Sequence, residues 1–108
     1  MAKIDETTFR QAVQALRNAA PPGSTVILFG SCADGTARTD SDLDFLVVEP
    51  QVKDRFGEMA RLSRLLGEML IPADVIVVSR DFYHRYRNTP NTIPYEASRK
   101  GRVYEPVA

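Results

Sequence analysis

The 108 residues suit one domain, 1–108, and the 44% that are hydrophobic suffice for a single real core. Fourteen basic residues balance fourteen acidic ones, so bulk charge points neither to a polyanion nor to a membrane surface. A single cysteine, Cys32, excludes an intrachain disulfide. No apolar run approaches the roughly 18 residues of a membrane span, and the opening residues lack a secretory leader's apolar stretch, so the expected location is the cytoplasm.

In chain order, Phe9, Val13, Leu16 and Ala20 recur at helical steps and predict an amphipathic helix over 5–20, capped by Asp5 or Thr7 and stopped at Pro21-Pro22-Gly23. Residues 25–29 form a short β-branched and apolar run, read as a buried strand that ends at Gly30. Residues 31–41 are small and polar without periodicity, and read as a loop. A second strand is expected over 44–48, before Glu49-Pro50. A second helix over 54–70 places Phe56, Met59, Leu62, Leu66 and Met69 on one stripe. A third strand covers 74–78. Asp81 is expected to cap a short helix through Tyr86, a last helix runs over 92–100 to a stop at Gly101, and 102–105 form a brief extended tail. Strands separated by a long helix predict an α/β (α+β) architecture, a small mixed sheet packed by helices.

Charge is uneven along the chain. Asp40, Asp42 and Asp44 fall within five positions, whereas 80–102 carry Arg80, Arg85, Arg87, Arg99, Lys100 and Arg102 against Asp81 and Glu96. Three local features carry chemistry. Phe29-Gly30-Ser31 runs a strand into Gly-Ser, where the missing Cβ of Gly30 admits a ligand close to the backbone and Ser31 adds a hydroxyl; read alone, this is also a common turn. Asp42 and Asp44 stand two apart in an extended segment, so their carboxylates share a side. Paired like charges repel unless a cation lies between them, and Mg²⁺ takes one or two carboxylates plus substrate phosphates. Asp74 opens an otherwise apolar strand. If the strands from Asp44 and Asp74 run side by side, the three carboxylates converge in a set able to hold two divalent ions and to orient a nucleophile.

Leu28-Phe29-Gly30-Ser31-Cys32-Ala33-Asp34-Gly35, Ser41-Asp42-Leu43-Asp44-Phe45-Leu46-Val47 and Ala73-Asp74-Val75-Ile76-Val77 together resemble the minimal nucleotidyltransferases of the polymerase-β superfamily, as does the stretch from Tyr95-Glu96-Ala97 to Tyr104-Glu105. The resemblance covers about 24–105. It implies the polymerase-β-like nucleotidyltransferase fold, Mg²⁺ as metal, and ATP as nucleotide donor. Gly30 and Ser31 would hold triphosphate oxygens, Asp42 and Asp44 would bind metal, and Asp74 would be the third carboxylate, a metal ligand placed to activate an acceptor hydroxyl. Many such short chains are antitoxins paired with a HEPN-type toxin, and some add AMP to a tyrosine of that partner. The first motif departs from the family pattern: Asp34 stands where an arginine is usual. Losing a charge-assisted contact to phosphate costs about 1.5–3 kcal/mol. Arg38, four residues on, is the candidate replacement.

Two readings follow from the same residues. In one the chain is a transferase that moves AMP or another nucleotide onto a hydroxyl. In the other it is an antitoxin-type binding module that neutralises a partner by contact, a reading that Asp34 favours. A third treats it as one half of a two-protein aminoglycoside-type transferase. So short a chain encloses little acceptor surface, so a helical partner protein or a second copy of the chain is expected to complete the site. His84 reads as a solvated helix residue and Cys32 as inert, and no Cys/His cluster suggests zinc. Tyr83, Tyr86, Tyr95 and Tyr104 accompany the C-terminal arginines and suit a protein interface better than nucleic acid.

Overall fold

The computed structural model describes residues 6–29 and 43–104. Eight elements follow one another: α1 (Glu6–Ala19), β1 (Thr25–Phe29), β2 (Leu43–Glu49), α2 (Arg55–Glu68), β3 (Ala73–Ser79), α3 (Arg80–Tyr86), α4 (Ile93–Lys100) and β4 (Arg102–Tyr104). The strands form one sheet in the order β3-β2-β1-β4. β1 is antiparallel to both β2 and β4, while β2 and β3 run parallel across the α2 crossover. The architecture is the expected mixed α/β sandwich, and the expected tail is its fourth strand.

The two faces of the sheet bury separate cores. On one face Val26, Leu28, Phe45, Val47, Val75 and Val77 pack under Ala12, Val13 and Leu16 of α1 and Leu62 and Leu66 of α2. Phe9 of α1 stacks on Phe45, ring centroids 6.5 Å apart. On the other face Ile27, Leu46, Val48 and Val78 meet Ala97 of α4, with Tyr83 and Ile93 packed alongside. Alternation along each strand produces this division, because successive side chains leave opposite sides of the sheet. The strands carry apolar residues at both parities, which is why they read as nearly continuous hydrophobic runs.

Several local expectations are corrected. Only Leu62 and Leu66 of the α2 stripe are fully buried; Phe56 is 75% exposed and Met69 lies at the surface. Ser79, not Asp81, caps α3, its hydroxyl accepting from the Phe82 N–H at 3.1 Å, and Asp81 sits in the first turn. Thr7 lies inside α1 rather than before it, and Asp5 is outside the described residues. Asp54 caps α2 through Gly57 N–H, and Thr92 caps α4 through Tyr95 N–H. Gly101 ends α4 where a Cβ would meet Ala97 O and the Ile27 side chain, so its lack of one lets the chain drop directly onto β1 as β4. No described helix is long and apolar enough to cross a membrane.

The end of α2 carries backbone strain. Ile71 N–H donates to Leu66 O and Leu70 N–H to Gly67 O, the paired bonds of a Schellman cap. The residue that must turn left-handed in that motif is Leu70, at φ 59°, and its side chain is 89% exposed. A non-glycine residue there costs about 1–2 kcal/mol, and the exposed side chain returns little burial.

At the far end of β2, Glu49 is only 3% exposed. It bonds to Glu58 of α2, and its Oε2 has no partner. Burial, then the Glu58 carboxylate, push the Glu49 carboxyl up to about 8. The Arg61 guanidinium, forked onto Glu58 at 2.7 and 2.8 Å, holds Glu58 down to about 2, helped by the proton on Glu49. Arg61 also donates to Ala19 O at 3.0 Å, tying α2 to the end of α1.

Two stability predictions follow. Leu70→Gly relieves the left-handed strain, offset by about 0.4–1 kcal/mol for a freer unfolded chain. Urea unfolding of the variant is expected to show a net gain of roughly 0.5–1 kcal/mol; a loss would mean that the Leu70 side chain has a packing partner. For Glu49, the folded-state value near 8 lies above the ordinary 4.5. Below 4.5 both folded and unfolded chains hold the proton. Between 4.5 and 8 only the folded chain does, so stability falls as pH rises through that window and levels off above it. Glu58 has the opposite sign, and its contribution is lost only as pH falls from 4.5 towards 2. The unfolding free energy of the wild type should therefore fall between pH 5 and pH 8 by about 4 kcal/mol at most, read as a lower urea midpoint at pH 8. Glu49→Gln should flatten that slope and outlast the wild type at pH 8.

Candidate functional site

The in-register parallel pairing of β2 with β3 sets Asp44 opposite Asp74. Paired positions on adjacent strands are about 4.8 Å apart and send their side chains to the same side. Alternation puts both carboxylates on the face of Leu46 and Val48, and of Ile76 and Val78, the face covered by α3 and α4. The register is pinned at this end by the Leu43 N–H, which donates to Pro72 O at 3.2 Å. Antiparallel pairing adds Phe29, the partner of Asp44 on the other side. One row thus crosses three strands, Phe29–Asp44–Asp74, at the end of the sheet where β2 and β3 begin.

The two acids differ in setting. Asp44 is half-buried, whereas Asp74 is exposed. The next rows differ, for there Leu46 and Ile76 belong to the second core. Like charges opposed across a sheet destabilise it, so the row is tolerated only because the rungs beyond it are apolar and buried. A pair of carboxylates alongside one another at an open sheet end is a hard-oxygen donor set, and it fits a divalent cation such as Mg²⁺. Among the described residues no group of three potential ligands converges.

The other expected site residues, Gly30, Ser31, Arg38 and Asp42, lie outside the described residues, as do Asp34 and Cys32. In sequence, Gly30 and Ser31 follow Phe29 directly, and Asp42 precedes Leu43. His84 is exposed on α3, as expected. Residues that escaped the sequence reading are Phe29 as a member of the row and Pro72 as the backbone acceptor that fixes the register. Phe29 had a signal, its place at the end of a buried strand before Gly30. Pro72 acts through its carbonyl, which no side-chain pattern reports. The grooves found on the described surface run along the opposite layer, one lined by Arg61, Arg64 and Glu68 of α2 and the other by Arg10, Gln14 and Asn18 of α1 with Met69. Neither contains Asp44 or Asp74.

The profile of the nucleotidyltransferase domain matches residues 8–102. No curated protein matches the chain significantly. Solved structures do. A protein described as a nucleotidyltransferase from Sulfolobus solfataricus superposes with a TM-score of 0.61 at 21% identity, over 91% of this chain and 77% of that one. A toxin–antitoxin solved with AMP-PNP gives a TM-score of 0.57 at 19% identity, over 95% and 74%. A mutant of the toxin–antitoxin MntA-HpeT gives 0.59 at 20% identity, over 95% and 74%. At these identities the structural likenesses establish the fold.

Proposed function

The chain belongs to the nucleotidyltransferase domain family, and on that premise we propose that it moves AMP, or another nucleotide, from a nucleoside triphosphate to a hydroxyl on a partner protein. The observation that carries the proposal is the register that sets Asp44 beside Asp74 where β2 and β3 begin. A family fold alone does not make a transferase; adjacent carboxylates on neighbouring strands are what the chemistry requires.

In this reading Asp44, with Asp42 two positions before it and Asp74 beside it, holds Mg²⁺. When bound, the ion neutralises charge on the triphosphate and on the leaving pyrophosphate. Gly30 and Ser31, next in the chain after Phe29 of the row, receive triphosphate oxygens. Arg38 supplies the cation that the family pattern carries where this chain has Asp34. Asp74, the more exposed of the described pair, orients the acceptor hydroxyl and takes its proton. The hydroxyl oxygen bonds to the α-phosphorus, the bond from that phosphorus to the bridging oxygen breaks, and pyrophosphate leaves with the electron pair. The neighbours solved as toxin–antitoxin structures support a protein partner as acceptor, for which the sequence resemblance suggests the helical HEPN type, and the one solved with AMP-PNP supports an adenine nucleotide as donor.

Asp34 favours a second reading, an antitoxin-type module that binds its partner and has lost transfer. The two readings separate experimentally. The first measurement is calorimetric titration with Mg²⁺ and AMP-PNP, followed by transfer of labelled AMP onto the co-purified partner. Asp74→Asn is expected to keep nucleotide binding while transfer falls about 100-fold or more, the usual cost of losing a general base. Asp44→Asn should weaken metal-dependent nucleotide binding itself. Wild-type protein that neutralises its partner yet neither binds the nucleotide nor transfers label, with Asp44→Asn neutralising equally well, would overturn transfer in favour of the binding module.

A further inference from the structure

The layer over the carboxylate face carries an excess of arginine that the chain does not answer. Between 80 and 99 the arginines are Arg80, Arg85, Arg87 and Arg99, against Asp81 and Glu96. None of these six enters an ion pair in the described structure. Arg80 donates to Gly23 O at 3.1 Å and is spent on holding α3 to the turn before β1. Arg85 is exposed and makes no hydrogen bond. Arg87 and Arg99 are gathered at the turn between α3 and α4. Arg99 reaches Asn88 Oδ1 at 3.3 Å, next in the chain to Arg87, and the Ser98 hydroxyl donates to Arg87 O at 3.0 Å.

Both of these arginines lie over tyrosine rings. The Arg87 guanidinium is 5.8 Å from the Tyr83 centroid and that of Arg99 is 5.1 Å from Tyr95. Stacking holds a long side chain in place without neutralising it. The cost of ordering these side chains is thus already met before a partner arrives, and pre-organised arginine beside tyrosine is the composition of interface hot spots. Phe82, 41% exposed, and Tyr86, 4.7 Å away, extend the surface with apolar area.

We propose that the surface where the ends of α3 and α4 meet, centred on Arg87 and Arg99 with Arg85 at its margin, docks an acidic protein surface. Charge complementarity selects that occupant. A nucleic acid fits less well for two reasons. The chain as a whole is neutral, unlike a basic nucleic-acid module. The rings that would stack on bases, Tyr83 and Tyr95, already carry arginines, and Asp81 and Glu96 interrupt the surface. Identifying the docked protein as the acceptor rests on the transfer reading; the docking surface does not. It belongs to the helical layer on the same face of the sheet as Asp44 and Asp74.

The test uses the full chain and a fluorescent glutamate–tyrosine copolymer as the acidic probe, followed by anisotropy at physiological salt. A lysine–tyrosine copolymer and a single-stranded oligouridylate run in parallel. Wild type is expected to bind the acidic copolymer in preference to both. Arg87→Ala/Arg99→Ala should weaken it about tenfold, Arg85→Ala alone should weaken it less, and Asp81→Asn/Glu96→Gln should tighten it. The Arg85 side chain enters no hydrogen bond, ion pair or ring stack among the described residues, so its variant and the Asp81→Asn/Glu96→Gln variant keep the test informative if the double variant misfolds. Asp74→Asn, which is expected to abolish transfer, should bind as wild type does, so failure of catalysis and failure of docking are read separately. Equal binding by wild type and the arginine variants, or tighter binding of oligouridylate than of the acidic copolymer, would overturn the proposal.

Discussion

Parallel pairing between β2 and β3 extends over seven rungs, from Leu43 with Ala73 to Glu49 with Ser79. Five of them, Leu43–Ala73 and Phe45–Val75 through Val48–Val78, are apolar on both strands. Each is buried or half-buried against one of the two helical layers. A one-residue slip would turn every side chain of a strand to the wrong core. The hydrophobic pattern therefore fixes the register, and the register forces Asp44 and Asp74 together. The acidic pair is not itself favourable. It is imposed by the rungs that follow it, and local strain of this kind at one end of a well-packed element is how folds hold functional groups in place. The α2 crossover completes the constraint. Arg55 of α2 donates to Val77 O at 2.9 Å, and Arg61 ties the same helix to the end of α1.

β2 carries an acid at each end of its buried run, and the two meet opposite fates. Glu49 points into the first core, keeps its proton, and shares a hydrogen bond with Glu58. Asp44 sits in a row with an exposed neighbour of like charge. A search for displaced acidity alone would choose Glu49, since such shifts gather at functional sites. Geometry argues otherwise. Glu49 faces no opening, and its partners Glu58 and Arg61 brace α2 against the sheet. Its role is to join layers, and the displaced acidity reports burial. Asp44 and Asp74 stand at the opposite end of the strands, the one half-buried and the other exposed, and it is this pair that the proposed transfer would use.

Much of this was legible in the sequence. Strand β1 lies where its β-branched run placed it, and β2 and β3 differ from expectation by a residue at each end. The reason is physical: apolar runs bounded by Gly, Pro and acidic residues have few alternatives in a small fold. The convergence of Asp44 and Asp74 was conditional on two strands being neighbours, which a pattern along one chain does not state but the crossover connection favours. Other features were not legible. Phe56 fits the helical stripe of α2, yet it lies in the first turn beyond the edge of the core. Ser79 displaced Asp81 as a cap because β3 continues one residue further than its apolar run. Glu49 read as a strand stop, and nothing local distinguishes a solvated glutamate from one buried against a second acid on a distant helix. The first motif from Gly30 to Asp42 lies outside the described residues, so its expectations stand on the sequence and on the family.

The division of labour between the two faces of the sheet follows from the same alternation that sets the register. α1 and α2 bury the larger core and carry the internal bracing, Glu58 and Arg61 of α2 holding the buried Glu49 of β2. α3 and α4 bury the smaller core with short helices and few large side chains, chiefly Tyr83, Ile93 and Ala97. Among the described residues, neither helix contributes an apolar residue packed on the row of Asp44 and Asp74, beyond Leu46 and Ile76. A thin layer of this kind also leaves its own tyrosines only part-buried, available to carry arginines on their outer faces. Had α4 extended across the row, the carboxylates would have been desolvated as Glu49 is and pushed towards the neutral form. The stop at Gly101, where the chain turns directly into β4 against β1, is what keeps α4 short. Helix length and the Arg-Tyr surface are thus consequences of one arrangement, in which the less thickly covered face of the sheet carries both Asp44 and Asp74 and the stacked arginines.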